Sequence, residues 1–281
     1  MIIALFANIN KNHAKPIAIG IREFLQERGV KVVSEDEIAP IIGAEPLSSI
    51  KPSEVNFSIS LGGDGTILRI FHAYPDLTAP ILGINLGSLG FMAEIPLEEI
   101  YPSLENLLAG KYTIQNRLMM EGETIHKQCC IAINEIVVHR AQNPSLVELA
   151  IYVDGNYLNT FSADGIIIST PNGSTAYSLA AGGPILAPNL EAIVITPISP
   201  HTISNRPIVL LPKKEIQVRY LSEYESVEVI YDGFSKFSMQ TGEIFRIFQS
   251  KRSFSLITMS NYDYFATLRT KLGWSGKLKK G

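Results

Sequence analysis

Two cysteines are all that the 281 residues contain, and Cys129 and Cys130 are neighbours. Adjacent strand residues point to opposite faces, so a disulfide between them is not expected, and no CxxC or Cys/His spacing suggests zinc. An apolar run long enough to cross a bilayer is also missing, so no membrane association is expected. There is no basic excess: 24 Lys and Arg stand against 27 Asp and Glu, a formal net charge of -3. That removes the global positive field that drives non-specific nucleic-acid binding, and no nucleic-acid partner is expected. The opening "MIIALFA" has no basic n-region and no clear cleavage site, so it reads as a buried first strand rather than a signal peptide. A reducing compartment and a cytoplasmic location follow as expectations. The tail "KLGWSGKLKKG" is the local basic exception and reads as a solvated end.

What is present is globular, with 46% hydrophobic and 18% charged residues, enough for one large domain or two medium ones. Strand and helix signals alternate over the first hundred residues. Strands are expected at Ile2–Phe6, Val30–Val33, Val55–Leu61 and Pro80–Ile84. Ile17, Ile21 and Leu25 mark a helix that Gly29 closes, and Thr66–Ala73 reads as another. Such alternation implies a parallel sheet with helices on its faces. Beyond Pro96 one helix remains, with Ile100, Leu104, Leu107 and Leu108 on one face, and short strands then dominate to about Phe254. Asp154-Gly155 in "VDGNYL" reads as a hairpin turn. The end of the chain returns to helical spacing, with Tyr264, Leu268 and Leu272 on one stripe and Phe265 beside them. The expected division is an α/β domain over 1–96, completed by a helix within 260–281, and a β-rich domain over 97–259.

The stretch "SISLGGDGTIL" places Asp64 among Gly62, Gly63 and Gly65 where a strand hands over to a helix. Glycines there permit positive φ and close backbone approach, and a helix starting near Thr66 would offer free N–H groups to a phosphate. Neither a Walker A loop nor a GxGxxG fingerprint is present. A carboxylate repels phosphate, so Asp64 makes sense at a hydroxyl that attacks phosphate or at a bridging Mg²⁺, or else as a turn residue capping the helix. A second glycine-rich loop, "GINLGSLGF", also follows a strand, and paired loops of this kind favour a nucleotide site.

Asn134 and Glu135 interrupt an apolar run, and an amide beside a carboxylate can hold ribose hydroxyls or a base edge. The alternative is a solvated turn between short strands. In "SADGIIISTPNGSTAYSLAAGGPIL" a strand, Ile166–Ser169, runs into Pro171-Asn172-Gly173 and a short helix around Ser174–Tyr177. Tyr177 there offers a stacking face, or is an ordinary core tyrosine. His201 lies in a proline-rich loop, and no HxxxH, HExxH or Ser-His-Asp arrangement can be assembled.

Taken together, "GGDGT", "NE", "ADG", "TPNGSTAYSLAAGGP", "PHTISNRP" and "KLGW" occur in the order seen in NAD kinases, and the chain resembles that family over essentially its whole length. GGDGT alone is shared with lipid kinases and phosphofructokinases, whereas the GSTAY segment with NE and KLGW is specific. The resemblance implies a Rossmann-like N-terminal domain and a C-terminal β-sandwich domain. It implies transfer of the γ-phosphoryl group of ATP, with Mg²⁺ or another divalent cation, to the 2′-hydroxyl of the adenosine ribose of NAD, in a homodimer or homotetramer. Polyphosphate is an alternative donor.

The same resemblance makes Asp64 the general base, with Gly62, Gly63, Gly65 and Thr66 as the phosphate loop and Arg69 reaching the nucleotide. Asn134 and Glu135 would hold the adenosine of NAD. Thr175, Ala176, Tyr177, Ser178 and Ala180 would line its subsites, and Asp164 would meet the carboxamide. Gly87, Phe91 and His201 are expected at the pocket wall. Two departures stand out: Asn172 replaces the usual threonine, and Phe234 occupies the place of a common glutamine. Competing readings are a lipid kinase sharing the GGDGT loop and a catalytically inactive NAD(P) sensor.

Overall fold

The alternating apolar runs and helical stripes of the first hundred residues fold into a parallel sheet. A computed structural model describes residues 1–87, 89–202, 204–260 and 262–274, the side chains of Ser235 and Lys236 apart. The chain divides into two compact units, Met1–Gln115 with the chain from Ser255 onward, and Asn116–Phe254. Most of the basic tail, residues 275–281, lies outside the described residues.

In the first unit, strands β1 (Ile2–Ala7), β2 (Lys31–Ser34), β3 (Glu45–Pro46), β4 (Phe57–Gly62) and β5 (Ile81–Asn85) pair in the order β3-β2-β1-β4-β5, all parallel. Helices α1 (Ala14–Gln26), α2 (Ala39–Ile42), α3 (Asp64–Ala73) and α4 (Ile100–Leu108) connect or follow them. Helix α1 turns Ala14, Ala18, Ile21 and Leu25 inward at helical spacing. It ends at Gln26, and the turn that follows closes at Gly29, whose φ of 72° is the left-handed conformation glycine adopts without a steric penalty. The core joins Ile3, Leu5, Ile21, Leu25, Ile59, Leu61, Leu82 and Ile84. Ile100, Leu104 and Leu107 belong to this same core. Helix α4 is therefore part of the first unit, which runs to Gln115 and not to residue 96.

The second unit is a β-sandwich. Its strands begin with β6 (Thr113–Thr124), which starts in the first unit, and β7 (Cys129–Ala132). There follow β8 (Glu135–His139), β9 (Val147–Val153), β10 (Asn156–Ala163), β11 (Gly165–Ser169), β12 (Ile193–Ile198) and β13 (Ile208–Leu210). The last are β14 (Ile216–Tyr220), β15 (Val227–Tyr231), β16 (Ser235–Met239) and β17 (Ile244–Thr258). One antiparallel sheet has the order β13-β12-β11-β8-β15-β16, and β10-β9-β14-β17 form the other, with β6 and β7 beside β17. Every second residue points into the core between them: Ile136 and Val138, Ile166 and Ile168, Ile193 and Ile195 from one sheet, and Leu149, Ile151, Val218, Phe245 and Ile247 from the other. Asp154 and Gly155, with φ of 49° and 77°, make the tight β9–β10 turn that the dipeptide predicts. Cys130 is buried and Cys129 exposed, both free thiols, as opposite faces require.

Strand β17 continues past Phe254 into the first unit, where Leu256 pairs in parallel with Ile81 of β5. Helix α6 (Tyr264–Leu272) follows, N-capped by Asp263, whose carboxylate accepts from the Phe265 amide. Its buried residues are Thr267 and Leu268, whereas Phe265 is exposed, so the inward stripe is narrower than the apolar spacing suggests. No helix among the described residues is long and apolar enough to cross a membrane.

Candidate active site

Helix α3 begins at Asp64, two residues earlier than its apolar spacing predicts, with Gly63 as N-cap in extended backbone. Thr66 is consequently inside the first turn and does not cap it. None of Gly62, Gly63 and Gly65 has positive φ. The glycine requirement here is one of space: a Cβ on Gly62 would stand 2.1 Å from Oγ1 of Thr66. Lys11, from the loop after β1, donates through Nζ to the Gly62 carbonyl at 3.2 Å.

The Asp64 carboxylate reaches the segment after β5. Its Oδ2 accepts from the Phe91 amide at 2.8 Å, and its Oδ1 accepts from Met92 at 3.0 Å and Ala93 at 2.8 Å. A carboxylate has about four acceptor positions, so three amides leave room for one more donor, such as a hydroxyl. Gly90 makes this approach feasible, because a Cβ on it would lie 2.1 Å from Asp64 Oδ1. The amide of Gly87 donates to Asn85 Oδ1 at 2.7 Å, which shapes the same loop. The Phe91 ring lies 6.3 Å from that of Tyr264 on α6. The two glycine-rich loops are thus joined through Asp64, a link that neither loop discloses alone.

Arg69 does not project freely. Its guanidinium forks onto Glu35, NH1 to Oε1 at 2.6 Å and NH2 to Oε2 at 2.9 Å, and Tyr74 adds its hydroxyl at 3.3 Å. Burial, reinforced by the Glu35 charge, pushes the Tyr74 hydroxyl up to about 12, so it stays a donor at neutral pH.

In the second unit, Asn134 sits between β7 and β8, and Glu135 is the first residue of β8. Both are buried. Three consecutive backbone amides, of Ile133, Asn134 and Glu135, donate to the carboxylate of Asp232 at 2.8, 2.7 and 3.2 Å. Asp232 and Gly233, with φ of 47° and 72°, form the turn between β15 and β16. Sequence reasoning misses Asp232, whose only signal in "YDGF" is an Asp-Gly hairpin turn. Phe234 itself is exposed. The 170–173 segment packs on Asn134: Nδ2 of Asn172 donates to Oδ1 of Asn134 at 2.6 Å, and a Cβ on Gly173 would lie 2.2 Å from the Asn134 carbonyl oxygen.

Glu135 carries a buried Oε2 with no hydrogen-bond partner. Burial, with the Asp232 charge nearby, pushes its carboxyl up to about 8. A buried carboxyl held in its neutral form can donate through its O–H or accept through its carbonyl oxygen, so the unpartnered oxygen is open to either kind of polar partner.

Among the remaining expected residues, Thr175 ends a short 3-10 turn over Gly173–Thr175, and Tyr177 opens α5 (Tyr177–Ala180) with its ring exposed. Ala176 stands between these two elements and Ala180 closes the second. Ser178 turns inward, its hydroxyl 3.0 Å from that of Thr196, so it packs the segment and does not present a hydroxyl to solvent. Asp164 is ion-paired with Arg140, Oδ1 to Nε at 2.7 Å. His201 is exposed, held through its backbone amide to the Ser162 carbonyl. No group of three or more His, Cys, Asp or Glu able to hold a metal occurs among the described residues.

An α/β unit with a glycine-aspartate loop, in one chain with a β-sandwich that carries a buried Asn-Glu pair, defines a two-domain class of kinase. Residues 3–112 match the model of the ATP-NAD kinase N-terminal domain, and residues 133–259 that of the ATP-NAD kinase C-terminal domain. The chain belongs to the NAD kinase family. It is 60% identical to an NAD kinase of Protochlamydia amoebophila (strain UWE25), covering 99% of both chains. It is 39% identical to an NAD kinase of Geotalea daltonii, over 97% of this chain and 98% of that one. The fold is similar to that of yeast NADH kinase complexed with NADH, with a TM-score of 0.87 at 22% identity over 100% of this chain and 89% of that one. It is also similar to an NAD kinase from Archaeoglobus fulgidus in complex with ATP, with a TM-score of 0.77 at 26% identity over 98% of this chain and 100% of that one.

Proposed function

We propose that the protein transfers the γ-phosphoryl group of ATP to the 2′-hydroxyl of the adenosine ribose of NAD, giving NADP and ADP. The observation that carries this reading is the Asp64 carboxylate, fixed by three amides at the start of α3 with an acceptor position to spare. In the reaction Asp64 orients the hydroxyl and accepts its proton as the new O–P bond forms and the bond to the ADP oxygen breaks. Phosphoryl transfer has a loose transition state, so positioning outweighs proton removal. Gly62, Gly63, Gly65 and Thr66 lie at the positive end of the helix dipole, which favours the transferring phosphate.

Asn134 and Glu135 supply the adenosine recognition, with the unpartnered Glu135 oxygen meeting a polar group of NAD. Thr175, Ala176, Ala180 and the exposed Tyr177 ring line the base and nicotinamide subsites, and Asp164 with Arg140 faces the carboxamide. Ser178 acts by packing, and Gly87, Phe91 and His201 contribute wall. Mg²⁺ enters as part of the substrate Mg-ATP, on the phosphate oxygens of the nucleotide. The protein works in the cytoplasm as a homodimer or homotetramer. A lipid kinase would need the GGDGT loop alone, and a sensor would not need Asp64. Incubation of the purified chain with NAD and Mg-ATP should produce NADP; absence of NADP under conditions where NAD binds would refute the proposal.

A further inference from the structure

Two loops cross from one sheet of the sandwich to the other at the same end of the second unit. The chain leaves β8 for β9 through residues 140–146, and β14 for β15 through residues 221–226. Because β8 pairs with β15 and β9 with β14, the two crossings run side by side. Between them, with Gln240 after β16, lies a cavity of about 500 Å³, a size that suits a small molecule. The whole length of β8 separates it from Glu135.

Asn143 lines this cavity and is fully buried. Its NH₂ donates to the carbonyls of Arg140 at 2.8 Å, Glu225 at 2.9 Å and Ser226 at 3.4 Å, which ties the two loops together. The Arg140 guanidinium donates in return to the Asn143 carbonyl. These bonds fix the orientation of the amide, since half a turn would set its oxygen against three carbonyl oxygens. On the opposite edge Oδ1 is buried and has no donor. A buried acceptor in that condition costs free energy until a donor meets it.

The charge around this oxygen is of one sign. Glu223 and Glu225 are exposed on the lining, and neither carboxylate has a hydrogen bond or ion pair among the described residues. Other acids of the unit are paired: Glu123 and Glu215 with Arg246, and Asp154 with Lys214. No Lys, Arg or His lines the cavity. Tyr224 stands between the two glutamates with its ring exposed, offering a face for a cation or a methylene chain.

A matching ligand carries positive charge, several N–H donors and an apolar body. A bare metal ion fits less well, because the space is far larger than an ion and only two carboxylates reach it. We propose that the cavity binds an aliphatic polyamine. One ammonium donates to Asn143 Oδ1, the charge of the chain meets Glu223 and Glu225, and its methylenes lie against the Tyr224 ring.

The test is titration calorimetry of the full chain, without nucleotide, using 1,4-diaminobutane as the probe. Binding should be saturable. Glu223→Gln combined with Glu225→Gln should weaken it about tenfold, at exposed positions where the fold is not at stake. Glu27→Gln combined with Glu98→Gln removes the same charge elsewhere and should leave the affinity unchanged. The fully N-methylated diamine keeps both charges but has no N–H, and should bind about tenfold more weakly than the parent. Asn143 is kept intact throughout, because its NH₂ holds both loops. Absence of binding to the wild-type chain overturns the proposal. So does an equal loss in the two double variants, which would mean general charge attraction, or an equal affinity for the methylated diamine. Displacement of the diamine by an equimolar amount of Ca²⁺ would make this a metal site and overturn it as well.

Discussion

Asn172 holds Asn134 through a side-chain amide pair, Nδ2 donating to Oδ1 at 2.6 Å. With its oxygen engaged, Asn134 keeps its NH₂ as the side-chain group that can donate to a ligand. A threonine at 172, the residue usual in the family, is too short to make the same bond without a shift of the loop. Asn172→Ala should therefore cost about 1–2 kcal/mol in chemical denaturation, because a buried oxygen loses its donor, and should raise KM for NAD more than KM for ATP. Asn172→Thr should fall between the variant and the wild type.

Asp64→Asn should lower kcat by about two to four orders of magnitude while NAD still binds. An asparagine can accept from Met92 and Ala93 through its oxygen, but its NH₂ faces the Phe91 amide, so faster hydrogen exchange at Phe91 should accompany the loss. Gly90→Ala presses on the same carboxylate and should lose activity similarly. Wild-type turnover in Asp64→Asn would remove this aspartate from the mechanism.

Asp232→Ala should destabilise the protein by about 3 kcal/mol, as it strips the acceptor from three buried amides at once. Alanine at a φ of 47° also strains the turn, so the share owed to the lost acceptor should be read in the 133–135 loop and in NAD affinity. Asp232→Asn, which retains one acceptor oxygen, should recover part of both.

Glu135 ties stability to pH. Its folded-state pKa of about 8 lies above its ordinary value of 4.5, so the folded state binds the extra proton between those limits. This group's contribution is consequently greatest below pH 4.5 and declines as pH rises through 8. Glu135→Gln should remove that decline, raising the melting temperature more at pH 8.5 than at pH 5, values chosen at about the two ends of the window. An equal change at both pH values would contradict the buried, protonated state.

The parallel sheet, the β-rich second unit and the glycine-aspartate turn are legible because each carries a local signal. Alternation in Ile136–Val138 and the helical spacing of Ile21 and Leu25 report burial directly, and of the glycines around Asp64 it is Gly62 that reports a close approach. Residues that act through distant backbone were not legible. Glu35, Lys11 and Asp232 sit in polar loops where a charge looks solvated, and their partners lie 34, 51 and between 97 and 99 positions away. The place of Arg69 on the helix is plain from spacing, but spacing does not show that a carboxylate from another strand end holds it. Phe265 misled in the other direction: an aromatic beside an apolar stripe is left exposed because Thr267 and Leu268 suffice to seat α6.

The passage of β17 from one unit to the other imposes an order on folding during synthesis. The first unit contains the amino terminus, yet Leu256 completes the edge of its sheet, and Ile257 and Met259 join its core. A nascent chain stopped at Phe254 would hold every strand residue of the sandwich while β5 still lacked its outer neighbour. The sandwich can therefore mature first, and the domain translated earliest waits for the last residues to arrive.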